Sequence, residues 1–92
     1  MHLMILDKEE TLPEELIKLQ EEFKEVKEAI LNNDKENTTE EILDNMQVLI
    51  GMLYTKVKTE DIDLGKELNR HNRKLLGRDW KIKGKINIKI NS

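Results

Sequence analysis

The chain has 92 residues, 38% of them charged, with three aromatic residues, one proline and no cysteine. That length allows one small domain, or a protomer that completes its core by pairing. Without cysteine there is no disulfide-stapled fold and no thiolate metal site, a composition that fits a reducing cytosol. Leu, Ile, Val and Phe number 27, or 29% of the chain, above the level at which a charged sequence reads as disordered. The near-continuous apolar run from Met46 to Tyr54 is about half of what crosses a bilayer, and Met1 to Leu6 is too short for a signal peptide. A soluble, cytoplasmic, helical protein with no membrane partner is the expectation.

The net charge of −3 hides an asymmetry: residues 1–63 sum to −10 and residues 64–92 to +7. An acidic front and a basic back suit either a site that joins a metal to an anion, or two solvated faces.

The first predicted helix, about 12–33, has a clear start. Thr11 is placed to cap it and Glu14 to close a capping box, with Pro13 tolerated in the first turn. Leu16, Leu19, Phe23, Val26 and Ile30 follow at spacings of three and four, forming one apolar stripe. Asn32, Asn33 and Asp34 end the helix, and a short polar loop sends the next one back antiparallel.

For the second helix, about 39–58, the expected cap is Thr38 with Glu41, or Asn37 with Glu40. Ile42, Met46, Leu49 and Leu53 form its main stripe, while Val48 and Met52 populate another side. A helix apolar nearly all round is buried on several sides, which in so small a chain implies an oligomer with Met46 and Met52 as core or interface fillers.

The third helix, about 64–76, is expected to start at Asp63 and to end at Gly77 as a left-handed cap. Leu64, Leu68, His71 and Leu75 share one face, so His71 reads as a core or interface residue. Beyond it, Ile82, Ile86, Ile88 and Ile90 alternate with lysines, predicting a strand or hairpin arm over about 80–90, anchored by Trp80 and bent near Gly84. A lone strand is not stable, so this arm calls for a partner subunit. The reading is of one all-α domain over 1–92, an antiparallel helical bundle completed by oligomerisation, with a short C-terminal β arm.

Two acidic segments stand out: Glu21, Glu22 and Glu25 inside the first helix, and Glu41 and Asp44 at the start of the second. Carboxylates three residues apart lie on adjacent turns and can converge on one cation. Antiparallel return of the second helix would bring Glu41 and Asp44 beside Glu22 and Glu25. Four carboxylates without His or Cys make a hard-oxygen site suited to Mg²⁺, with Mn²⁺ possible, rather than Zn²⁺. At about 100° per residue, Glu41 and Asp44 line up with Val48, Gly51 and Met52, a face otherwise small or apolar. Glu25 sits farther round its helix and also reads as solvated, while Glu41 also reads as a capping residue.

Glu21, Glu22 and Glu25, a fifteen-residue gap, then Glu41 and Asp44 on a Gly-containing apolar helix, resemble the MazG-like all-α nucleoside triphosphate pyrophosphohydrolases. Ile62-Asp63-Leu64, His71 to Leu75 and Arg78-Asp79-Trp80 look like the compact type found in phages and Firmicutes. Asp79 departs from that pattern, standing where such sequences often carry Gly before the Trp. The resemblance implies hydrolysis of a nucleotide between its α and β phosphates, giving a monophosphate and pyrophosphate with Mg²⁺ bound by Glu22, Glu25, Glu41 and Asp44. Glu21 or an unsaturated ligand carboxylate would then accept the proton of the attacking water, Glu21 otherwise being a surface charge. Asn72, Lys74 and Arg78 in the basic half would bind substrate, Lys as a point charge and Arg in bidentate fashion.

Two other readings compete with this expectation. A non-enzymatic oligomeric interaction protein, phage-derived, would use its acids only as surface charge. Nucleic-acid binding through Lys81 to Lys89 is disfavoured, because that arm interleaves isoleucine rather than aromatics and sits on an acidic protein.

Overall fold

A computed structural model of the chain describes residues 1–91 and shows an all-helical protein of three helices: α1, Leu12–Leu31, α2, Lys35–Glu60, and α3, Leu64–Gly77. The residues form two compact units, the first Met1–Ile62 and the second beginning at Asp63. None of the helices is long and apolar enough to cross a membrane.

In the first unit α1 and α2 pack as an antiparallel hairpin. Glu15 near the start of α1 meets Thr55 late in α2, while Glu22 meets Asn45 near its start. The start of α1 follows the sequence. Thr11 accepts from the Glu14 amide, and the Glu14 carboxylate accepts from the Thr11 amide and hydroxyl. A Schellman turn stops the helix at residue 31, where the Asp34 amide donates to the Ala29 carbonyl and Asn33 adopts φ 55°.

This turn shifts the start of α2. Its N-cap is Asp34, accepting from the Asn37 amide at 3.2 Å, so the helix begins at Lys35 and the expected cap at Asn37 or Thr38 does not form. All three residues are good capping types. The turn at Asn33 brings Asp34 to the position first, and Thr38 instead donates its hydroxyl back to the Asp34 carbonyl.

The seam between the helices also differs from the apolar stripe. On α1 it runs through Glu15, Leu19, Glu22, Val26 and Ala29, one residue out of register with the outer half of the stripe. Leu16, Phe23 and Ile30 face outward, 48%, 62% and 58% exposed. The residues buried outright are Ala29 and Glu15. Along α2, Ile42, Leu43, Met46 and Leu49 are likewise exposed. Before α1, the Gln47 side-chain amide donates to the Met4 carbonyl and so ties the N-terminal segment to α2.

In the second unit Asp63 caps α3 as expected, accepting from the Lys66 amide. Gly77 is the last helical residue and not the left-handed cap; Asp79 takes that conformation at φ 63°, and the Trp80 amide closes a Schellman turn on the Leu75 carbonyl. His71 is exposed rather than part of a core within the chain. The segment expected as a β arm forms no strand among the described residues. Its physical reason is the one that made a partner necessary: a strand exists only against another, and the described residues offer none.

Candidate metal centre

Three carboxylates meet in the seam of the first unit. Glu22 projects from the middle of α1, and Glu41 and Asp44 from consecutive turns of α2. One oxygen of each lies within 4.8 Å of the other two, and all three side chains are half-buried. Because α2 starts at Asp34, Glu41 stands two turns inside the helix and has no capping duty. Its side chain is free to turn toward α1.

Asn45 registers the two helices at this point. Its side-chain amide donates to the Glu22 carbonyl at 3.0 Å and to the Glu41 carbonyl at 2.8 Å. One residue therefore ties the backbone of an acid on α1 to that of an acid on α2.

The electrostatics of the cluster are unfavourable as it stands. Oε2 of Glu22 and Oε2 of Glu41 are buried and have no hydrogen-bond partner among the described residues. Removal from water raises the Glu22 carboxyl above its ordinary value, and the charges of Glu25 and Asp44 raise it further. Glu41 is raised for the same leading reason, with the neighbouring Glu25, Asp44 and Glu22 carboxylates adding to it. A buried acceptor without a donor is destabilising, the more so when charged. A cation supplies what the protein leaves out. The donors are all carboxylate oxygens, the set that hard divalent cations prefer, so the residues fit such an ion.

The other expected site residues are placed as follows. Glu25 is exposed and stands outside the tight group of three, yet its charge bears on both Glu22 and Glu41. Glu21 is exposed. Asn72 and Lys74 lie exposed on α3, and Arg78 is the exposed residue at its C-cap.

Beside the cluster lies a cavity of about 170 Å³, lined by Glu22 and Asp44 at one end and by Glu15, Lys18, Tyr54 and Thr55. Sequence reasoning missed Glu15 and Asn45. The signal for Glu15 was its position seven residues before Glu22, which places both on one helical face. Asn45 carries no such signal, since a polar residue beside Asp44 is ordinary on a helix.

In comparison with known proteins, the family model for phosphoribosyl-ATP pyrophosphohydrolase matches residues 6–72, spanning both acidic segments and the cavity. No curated protein and no solved structure matches the chain significantly.

Proposed function

This chain belongs to the phosphoribosyl-ATP pyrophosphohydrolase family, within the MazG-like all-α nucleotide pyrophosphohydrolases, and from that premise we propose that it cleaves a nucleoside triphosphate or related nucleotide between the α and β phosphates. The products are a monophosphate and pyrophosphate, and Mg²⁺ is the cofactor. The observation that carries this reading is the pair of buried, partnerless oxygens on Glu22 and Glu41, two residues that each bring a carboxylate oxygen within 4.8 Å of one of Asp44.

Glu22, Glu41 and Asp44 would hold the ion, with Glu25 closing the set from the solvent side. When bound there, Mg²⁺ would offset the carboxylate charge and supply Lewis-acid polarisation to the phosphoanhydride. The chain supplies orientation and proton handling. Asn45 fixes the rotation of α2 against α1, so that the acids of both helices point at one place. Glu21 accepts the proton of the attacking water; its exposed carboxylate suits it to exchange that proton with solvent. Asn72, Lys74 and Arg78 carry the complementary chemistry for the substrate, two cations and an amide, and we assign them to substrate binding.

We also assign the working form to a homo-oligomer, a dimer or tetramer. Support comes from the outward rows of α1 and α2: a helix pair whose Leu16, Phe23, Ile30, Ile42, Met46 and Leu49 remain exposed has not finished burying its apolar surface. The arm from Trp80 to Ile90 would find its strand partner in the same assembly.

Incubation with a panel of canonical, modified and phosphoribosyl-substituted nucleotides, with Mg²⁺ in ¹⁸O-labelled water, tests the reaction. Label entering one product with release of intact pyrophosphate is the expected result. Release of orthophosphate instead, or of nothing across the panel, would contradict the proposal.

A further inference from the structure

Two helical turns along the seam from the acid cluster sits a carboxylate that the cluster does not use. Glu15 is 6% exposed. The Thr55 hydroxyl lies 2.8 Å from its Oε1 and 3.0 Å from the Gly51 carbonyl, and its single proton is shared between them. Oε2 stands 3.1 Å from where a Cβ on Gly51 would lie, so the carboxylate occupies room that glycine alone leaves open. Its charge is tolerated because it lies in the first turn of α1, where the helix dipole favours an anion, and because Lys18 lines the same cavity.

The cavity joins Glu15 to Glu22 and Asp44. Seven residues separate Glu15 from Glu22 on α1 and Asp44 from Gly51 on α2, which is about 10 Å of rise on each. The cavity volume of about 170 Å³ leaves room for one ring with its hydroxyls. It is below the ~300–1,000 Å³ that enclose a drug-sized ligand, so it encloses part of a nucleotide and not the whole. The pentose is the ring attached directly to the α-phosphate. A carboxylate offers about four acceptor positions, of which Thr55 takes one, and acceptor-only groups beside a sugar recognise its hydroxyls, as acids do in dinucleotide-binding folds.

We propose that Glu15, held by Thr55 over Gly51, accepts a hydrogen bond from a sugar hydroxyl of the nucleotide and is the residue that selects the pentose. This rests on reading the acid cluster as the phosphate end of a nucleotide site. The glycine is part of the device, because a side chain there would push the carboxylate from its place.

The test is equilibrium binding of ribonucleoside 5′-monophosphates and their 2′-deoxy and 3′-deoxy counterparts, in Mg²⁺, to the full chain and to Glu15→Gln and Gly51→Ala. Loss of one hydroxyl weakens binding to the unmodified chain by about 10-fold or more, as expected where a site is built to pair with it. Either variant reduces that ratio to about 3-fold or less, while Mn²⁺ affinity stays as in the unmodified chain. Should Glu15→Gln fail to fold, Gly51→Ala carries the comparison, since it keeps the carboxylate and moves it. Equal binding of all three sugars by the unmodified chain, no binding of any, or a hydroxyl preference intact in the variants overturns the proposal. A chain that binds with the hydroxyl preference yet releases no pyrophosphate from any triphosphate overturns only the reaction proposed above.

Discussion

At the scale of single residues, Glu22 and Glu41 hold protons more tightly than free carboxyls do, because burial and neighbouring acids oppose their ionisation. The native state therefore binds more protons than the unfolded chain as the pH rises through the ordinary carboxyl range of about 4. The sign follows: their contribution to stability is fully present below that range and is lost as pH rises through their raised native values. Without metal, the melting temperature should fall more, or rise less, between acid and neutral pH in the unmodified chain than in Glu22→Gln with Glu41→Gln, since Glu14, held below its ordinary value by Thr11, contributes with the opposite sign in both. With Mg²⁺ or Mn²⁺ at about 100 times Kd, the unmodified chain should gain about 2.7 kcal/mol, on the order of 10 °C for a domain this size, and the double variant should gain little. The same pH dependence in the metal-free chain and the double variant, or a double variant equally stabilised by the cation, would contradict a metal-binding cluster.

At the scale of elements, what was legible in the sequence was what is local. Thr11 with Glu14 and Asp63 before Leu64 cap their helices as read, because each cap is decided within four residues. The start of α2 was not legible, since Asp34, Asn37 and Thr38 all suit the role and the turn at Asn33 decides among them. The seam was misread for a related reason. Hydrophobicity follows Leu16, Phe23 and Ile30, whereas the helices meet along Glu15, Glu22 and Ala29. A contact face that holds acids is invisible to an apolar pattern, although the spacing of the two acidic segments brought Glu22, Glu41 and Asp44 together on paper. The turn after α3 carries a consequence of its own. Asp79 at φ 63° occupies a conformation where a Cβ is disfavoured. Asp79→Gly should therefore stabilise the protein by about 0.5–1 kcal/mol, seen as a melting temperature several degrees higher; an unchanged or lower value would mean that the aspartate side chain compensates for its backbone.

At the scale of the molecule, Ala29 is the one buried apolar residue among those described, which is little core for a hairpin of this size. Phe23, 62% exposed in the middle of the outward row of α1, is expected to lie in the contact between copies. Light scattering coupled to size exclusion should give a multiple of the 10.9 kDa chain mass, and Phe23→Asp should shift it toward the single chain with loss of helicity. A monodisperse, folded single chain would count against the assembly. The account as a whole stands on the cluster being a metal centre that works on a phosphoanhydride. Its most direct test is pyrophosphate release from a cleaved nucleotide as Mg²⁺ is titrated, in the unmodified chain and in Glu41→Gln. The account predicts saturable dependence on Mg²⁺, abolition by chelator, and a loss of about 100-fold or more in the variant, the upper end for disturbing a metal site; release that persists in chelator, or full activity in Glu41→Gln, would contradict it.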